Sequence, residues 1–231
     1  MNEMIRCPVV IYRGGTSKGI FIKENDLPPG AALRDRFICA LFGSPDKRQI
    51  DGLGGADPLT SKLAIIGPPS RPDADVDYTF GQVDILAPKV LYDMVCGNIS
   101  AAVGPYAIDE GLVRAAAPQT EVRIYNKNIG RIIVASVPVE NNQVKTTGDF
   151  AIDGVPGTGA PIELNWADTV GANTGSLLPT GKPLDTLTPK GRKPIAVSIV
   201  DVGNPGVFVM AADLGLKGTE SPVEVDSNQE L

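Results

Sequence analysis

The chain contains no histidine. That absence removes Ser-His-Asp and Cys-His catalytic arrangements, HExxH zinc sites and imidazole-held haem. Any acid–base work must fall to Lys, Cys, Asp, Glu or Tyr. Cysteine is scarce as well. Cys7, Cys39 and Cys96 are odd in number and far apart, which excludes a disulfide scaffold and offers no paired zinc spacing. The expectation is no bound metal and a reducing, cytoplasmic compartment. No apolar run is long enough to span a bilayer, and the first eight residues lack the apolar core of a signal peptide. Basic stripes are missing too: 21 Lys and Arg are scattered among 27 Asp and Glu, for a net charge of −6. A nucleic-acid footprint is therefore absent. These absences together predict a soluble protein whose partner is a small molecule, neither nucleic acid nor membrane.

What the chain does contain is glycine and proline, 26 and 20 of them in 231 residues, so turns are frequent and long helices few. Short β-branched runs predict strands over 9–12, 19–22, 63–66, 76–80, 83–86, 122–125, 131–139, 195–200 and 207–210. A helix is expected over 31–42, with Leu33, Phe37, Ile38, Leu41 and Phe42 on one face and Gly43-Ser44-Pro45 as its stop. A second is expected over about 100–113. It carries no charge before Asp109, so it lacks a solvent face and should be enclosed by sheet, with Pro105 producing a kink or a late start. The turn at 115–119 suggests a boundary between a domain over 1–118 and another over 119–231. The Gly- and Pro-rich stretch 148–191 predicts long loops.

Four segments bear on chemistry. The segment Cys96-Gly97-Asn98-Ile99-Ser100 sets a thiol and a small polar turn before the uncharged helix. Backbone N–H groups at such a helix start suit a carboxylate or phosphate oxygen, and a thiol beside them ionises more easily. Equally, Cys96 fits a buried structural thiol. In Arg13-Gly14-Gly15-Thr16-Ser17-Lys18-Gly19, glycines and hydroxyls offer donors to an anion and Arg13 a carboxylate fork, or the segment is a plain hairpin turn. The run from Asp51 to Lys62 resembles a dinucleotide loop only superficially, because the helix of a βαβ unit is missing. Lys62 itself opens an apolar strand and is either partly desolvated there or exposed at the strand end. Asn204, after a strong strand, suits a ligand carboxylate or a turn cap.

Together, the motifs over 13–19, 51–64, 96–105 and 203–205 resemble the PrpF family, isomerases of unsaturated di- and tricarboxylic acids such as 2-methylaconitate. The resemblance implies an α+β, diaminopimelate epimerase-like fold: two similar domains, each a curved mixed sheet wrapped around a central helix. It implies no cofactor, a polycarboxylate substrate, and proton abstraction followed by a 1,3-allylic shift or cis-trans isomerisation. Proton transfer falls on Lys62, with Cys96 as a second acid–base group or a shaper of the site. Backbone groups of Gly97, Asn98, Ile99 and Ser100 stabilise developing charge, and Arg13, Thr16, Ser17 and Asn204 hold the remaining carboxylates. The competing class is a non-catalytic carboxylate-binding or accessory protein derived from the fold.

The chain stops before a second central helix, so the second domain is expected to be truncated, with Ile195, Val197 and Ile199 on an open face. Another chain, as in a homodimer, an inward loop, or the rest of a longer protein would have to cover it.

Overall fold

The computed structural model describes residues 6–191, 193–229 and 231, and in it the apolar runs become strands close to where the sequence places them. The chain divides into two units, Met1–Asp168 and Thr169–Leu231. In the first, β1 (Val10–Gly14) and β2 (Ser17–Lys23) form a hairpin and α1 (Ala31–Phe42) follows. Then come β3 (Lys62–Gly67), β4 (Val76–Val83), β5 (Val90–Leu91), α2 (Gly97–Asp109), β6 (Gln119–Asn126), β7 (Arg131–Glu140), β8 (Gln143–Val144) and β9 (Glu163–Asn165). The nine strands make one sheet in the order β1-β2-β3-β4-β6-β7-β8, with β5 added to β4 and β9 to β7. The β2–β3 and β4–β6 pairs are parallel, which makes the sheet mixed.

Side-chain alternation sorts the strand residues between two cores. Phe21, Ala64, Ile66, Tyr78, Phe80, Val122, Ile124 and Ile133 point to one face and bury against Ile99, Val103, Tyr106 and Ala107 of α2. Ile20, Ile22, Leu63, Ile65 and Val83 point to the other and bury against Ile38, Cys39 and Phe42 of α1. Being covered on both faces, β3 reads as an unbroken apolar run from Leu63 to Ile66. Helix α2 touches β1 to β4 and β6 to β8, so the sheet curls around it, as its missing charge predicts.

Several boundaries differ from expectation. Helix α2 starts at Gly97 and ends at Asp109, and Pro105 lies inside it without ending it. The enclosing sheet holds the helix where local propensity alone would stop it. Leu33, expected on the apolar face of α1, is half exposed, and Cys39 packs in its place. The strand expected over 83–86 is instead the end of β4 and a turn in which Asp84 Oδ1 accepts from the N–H groups of Leu86 and Ala87. The boundary expected at 118 falls inside one continuous sheet. Strand β6 returns to lie parallel beside β4, so β6 to β9 belong to the first unit.

The second unit holds β10 (Asp185–Leu187), β11 (Ile195–Val202) and β12 (Asn204–Val209) in one antiparallel sheet, followed by the five-residue α3 (Pro222–Asp226), which has no buried residue. Ile195 and Val197 are buried, contrary to the open face expected there. Exposed apolar side chains sit on edge strand β12 instead, at Val207 and Phe208.

Candidate active site

Four segments of the first unit meet at one end of the inner face of its sheet. Register sets Gly19 of β2 opposite Lys62 of β3, and Lys62 opposite Gln82 of β4. Lys62 shares its parity with Ala64 and Ile66, and Gln82 with Tyr78 and Phe80, so both lie on the face that carries α2. The first turn of α2 covers the same end: a Cβ on Gly19 would come within 2.9 Å of Ile99 Cδ1.

Lys62 is only 8% exposed, so the strand-end alternative does not hold. Its Nζ donates to Gln82 Oε1 at 2.9 Å and stands 5.3 Å from the centroid of the Phe80 ring, within cation–π range. Among the described residues, ion pairs form at Lys23, Arg71, Lys89, Arg123, Lys127 and Lys145, and none at Lys62. The loop entering β3 is pinned by Gln49, itself buried. Gln49 Nε2 donates to Ser44 Oγ and Ser61 Oγ, while its Oε1 accepts from Ala56 N. Gly54 of the 51–62 motif serves this clamp, since a Cβ there would fall on Gln49 Oε1.

Cys96 is half-buried and occupies the N-cap of α2 without a side-chain capping bond, which leaves the first-turn amides of Gly97, Asn98 and Ile99 without a capping oxygen. Ser100 is committed to the helix itself: its N–H and its Oγ both donate to the Cys96 carbonyl, at 3.0 and 2.8 Å. The Ile99 side chain is core. Beneath this turn the Tyr78 hydroxyl is fully buried beside Ser100, and burial first, then the neighbouring Cys96, pushes its pKa well above the ordinary tyrosine value against a smaller lowering by the Ser100 hydroxyl.

The β1–β2 hairpin interlocks with α2. A Cβ on Gly14 would fall 2.0 Å from the Asn98 carbonyl oxygen, and one on Gly15 2.2 Å from Asn98 Oδ1. Asn98 Nδ2 donates to Thr16 Oγ1 at 3.0 Å. Ser17 is buried on the inner face with Gly19 and Phe21, and among the described residues its hydroxyl has no partner. Arg13 is not brought in. Its Nη1 donates to Gly15 O, and its cross-strand partner Lys18 lies on the opposite face from Ser17. Asn204 begins β12 in the second unit, so the first unit assembles this constellation without it.

The structure thus ties Thr16 to Asn98 and sets Ser17 and Lys62 on the sheet face that the first turn of α2 covers, with Cys96 at the start of that helix. Gln82, Gln49 and Tyr78 were missed by sequence reasoning. A signal existed for Gln82, a polar residue at a β4 position where alternation asks for an apolar one. Among the described residues no group of three or more Cys, Asp or Glu is placed to hold a metal ion, and no helix is long and apolar enough to cross a membrane.

Comparison with known proteins follows the same lines. The family model described as PrpF protein matches residues 4–231. The chain is 57% identical to a protein of Eubacterium barkeri named 3-methylitaconate isomerase, over 100% of this chain and 60% of that one. It is 49% identical to the 4-oxalomesaconate tautomerase of Pseudomonas putida, over 96% and 61%. A crystal structure titled methylitaconate-delta-isomerase superposes with a TM-score of 0.82 at 58% identity, covering 98% of this chain and 58% of that one. The chain therefore spans about 60% of the length of the relatives it matches. With a match over nearly its whole length, this chain belongs to the PrpF family.

Proposed function

We propose that the chain serves a cytoplasmic, cofactor-independent isomerase of unsaturated di- and tricarboxylic acids. The observation that carries the reading is a buried lysine, Lys62, at the end of a sheet face where the first turn of α2 presents amides without a capping oxygen. A substrate carboxylate takes those amides and the hydroxyls of Thr16 and Ser17. Lys62 removes a proton from the carbon next to the double bond. The C–H pair becomes the new C=C, the old π pair moves to the far carbon, and that carbon receives the proton back. Negative charge spreads into the carboxylate as this happens, so donors fixed in advance at that oxygen lower the barrier. Cys96, at the same helix start, acts as a second acid–base group. Arg13, tied to its own turn, is left out, and so is Asn204, which begins β12 in the second unit. The names of the relatives, an isomerase and a tautomerase, support the reading.

Proton NMR in deuterated water with methylitaconate, cis-aconitate and trans-aconitate tests it. Isomerisation with deuterium uptake is expected, falling at least about 100-fold in Lys62→Ala and less in Cys96→Ala. Line broadening without exchange would instead identify a carboxylate binder, and undiminished turnover in Lys62→Ala would remove Lys62 from the mechanism.

A further inference from the structure

We propose that Gln82 is the positioning residue for Lys62, a neutral acceptor whose amide is locked by the loop before β3 so that its oxygen faces the lysine. The lock follows from counting donors. Gln82 Nε2 carries two hydrogens, and both are used: one on the Pro58 carbonyl at 3.1 Å, the other on the Ser61 carbonyl at 2.9 Å. Turning the amide over would aim its oxygen at two carbonyl oxygens. The remaining oxygen, Oε1, is therefore held toward Lys62 Nζ, 2.9 Å away.

The loop that does the locking is itself rigidly placed. Ser61 Oγ donates to the Val83 carbonyl and accepts from Gln49 Nε2, and Val83 N donates to the Ser61 carbonyl. The chain from Gln49 through Ser61 to Gln82 thus transmits the fixed loop conformation to one side chain. Lys62 Nζ also stands 5.3 Å from the centroid of the Phe80 ring, and among the described residues no carboxylate stands within ion-pair distance of it.

An amide suits a lysine that must gain and lose a proton. It accepts from the ammonium and from the amine alike, whereas a carboxylate in its place would favour the ammonium and hold the proton there. Gln82 accordingly fixes where Nζ stands without fixing its charge. The catalytic consequence rests on the reading of Lys62 as proton carrier, but the positioning itself does not.

Lysine labelled with 13C at Cε and 15N at Nζ, with Lys62 assigned through Lys62→Arg, reads the side chain directly by NMR in this chain. In the parent, the Nζ hydrogens of Lys62 should exchange with water at least tenfold more slowly than those of the exposed lysines. Gln82→Met keeps the volume and removes donors and acceptor, and should abolish that protection. Gln82→Glu should raise the titration midpoint of Lys62 by about one unit or more relative to Gln82→Met. A purely structural role of Gln82 in tying the loop would move neither reading. Unchanged protection in Gln82→Met, or equal midpoints in the two variants, would overturn the proposal. The deuterium-exchange assay on Lys62→Ala decides the proton-carrier reading separately, so the two can fail independently.

Discussion

The two units of this chain handle apolar surface in opposite ways. In the first, Phe21, Phe80 and Ile124 are closed from solvent by the helix that the sheet encloses. In the second, Val207, Phe208 and Met210 are 56, 63 and 71% exposed, and α3 has no buried residue. Order there rests more on polar groups. Asp201 is buried, and its Oδ2 accepts from Asn173 N, Thr174 N and Thr174 Oγ1, which holds the 171–177 turn against β11. A unit with a core tolerates surface change and resists core change, whereas a unit built on hydrogen bonds should do the reverse.

The sharpest way to break this contrast is to cut the first core. Ile124→Ala removes a fully buried side chain facing α2 and should cost about 2–5 kcal/mol in denaturant unfolding. A cost below 1 kcal/mol would mean that the inner face is loosely packed and that the two units differ less than their burial suggests. Next in size is Gly14→Ala. The new methyl would overlap the Asn98 carbonyl oxygen, so the hairpin must lift off α2, at about 1–3 kcal/mol. Binding of aconitate, followed by titration calorimetry, should weaken with it. Intact binding would show that the hairpin does not shape the site.

Much of the first unit was legible in its sequence because burial leaves a periodic trace. The C-terminal end of α1 followed from Gly43, and the enclosed helix from its twelve uncharged positions before Asp109. The domain boundary was not legible. The turn at 115–119 has the composition of a linker, yet it merely carries the chain to a strand position beside β4, and parallel pairing at that distance leaves no local mark. Lys62 and Cys96 could be singled out by residue type and motif. Gln82 could not be joined to Lys62 without knowing the β3–β4 register, and the Gln49 clamp depends on backbone approaches that spacing does not encode. The second unit misled because alternation marks strand faces but not which face finds cover: Ile195 and Val197 are buried, Val207 and Phe208 are not.

Acid should separate the units. Burial alone would raise the pKa of Asp201, but hydrogen bonds from Thr174 and Asn173 outweigh it and lower the value below the ordinary 3.8. A carboxylate whose folded-state pKa is depressed contributes stability that is complete above its unfolded value and is lost as the pH falls through the folded one. Amide hydrogen exchange should therefore show residues 171–177 losing protection below about pH 4, while α2 and β3 keep theirs to lower pH. The neutral variant Asp201→Ala should show the same local loss already at pH 7. Simultaneous loss of protection in both units at each pH would mean that they unfold as one.

The smallest effect is expected on β12. Phe208 lies on an edge strand, 63% exposed, across from Ser198, so little apolar area leaves water when this strand forms. Phe208→Ser should change unfolding free energy by no more than about 0.5 kcal/mol, the usual range for a surface position. It should also reduce any concentration-dependent association, because an exposed apolar edge strand is a ready template for pairing with another chain. Denaturant unfolding and sedimentation, each over a range of protein concentrations, measure the two effects. A loss above 1 kcal/mol at low concentration would show that Phe208 is covered in solution, and the contrast between a cored unit and an open one would have to be withdrawn.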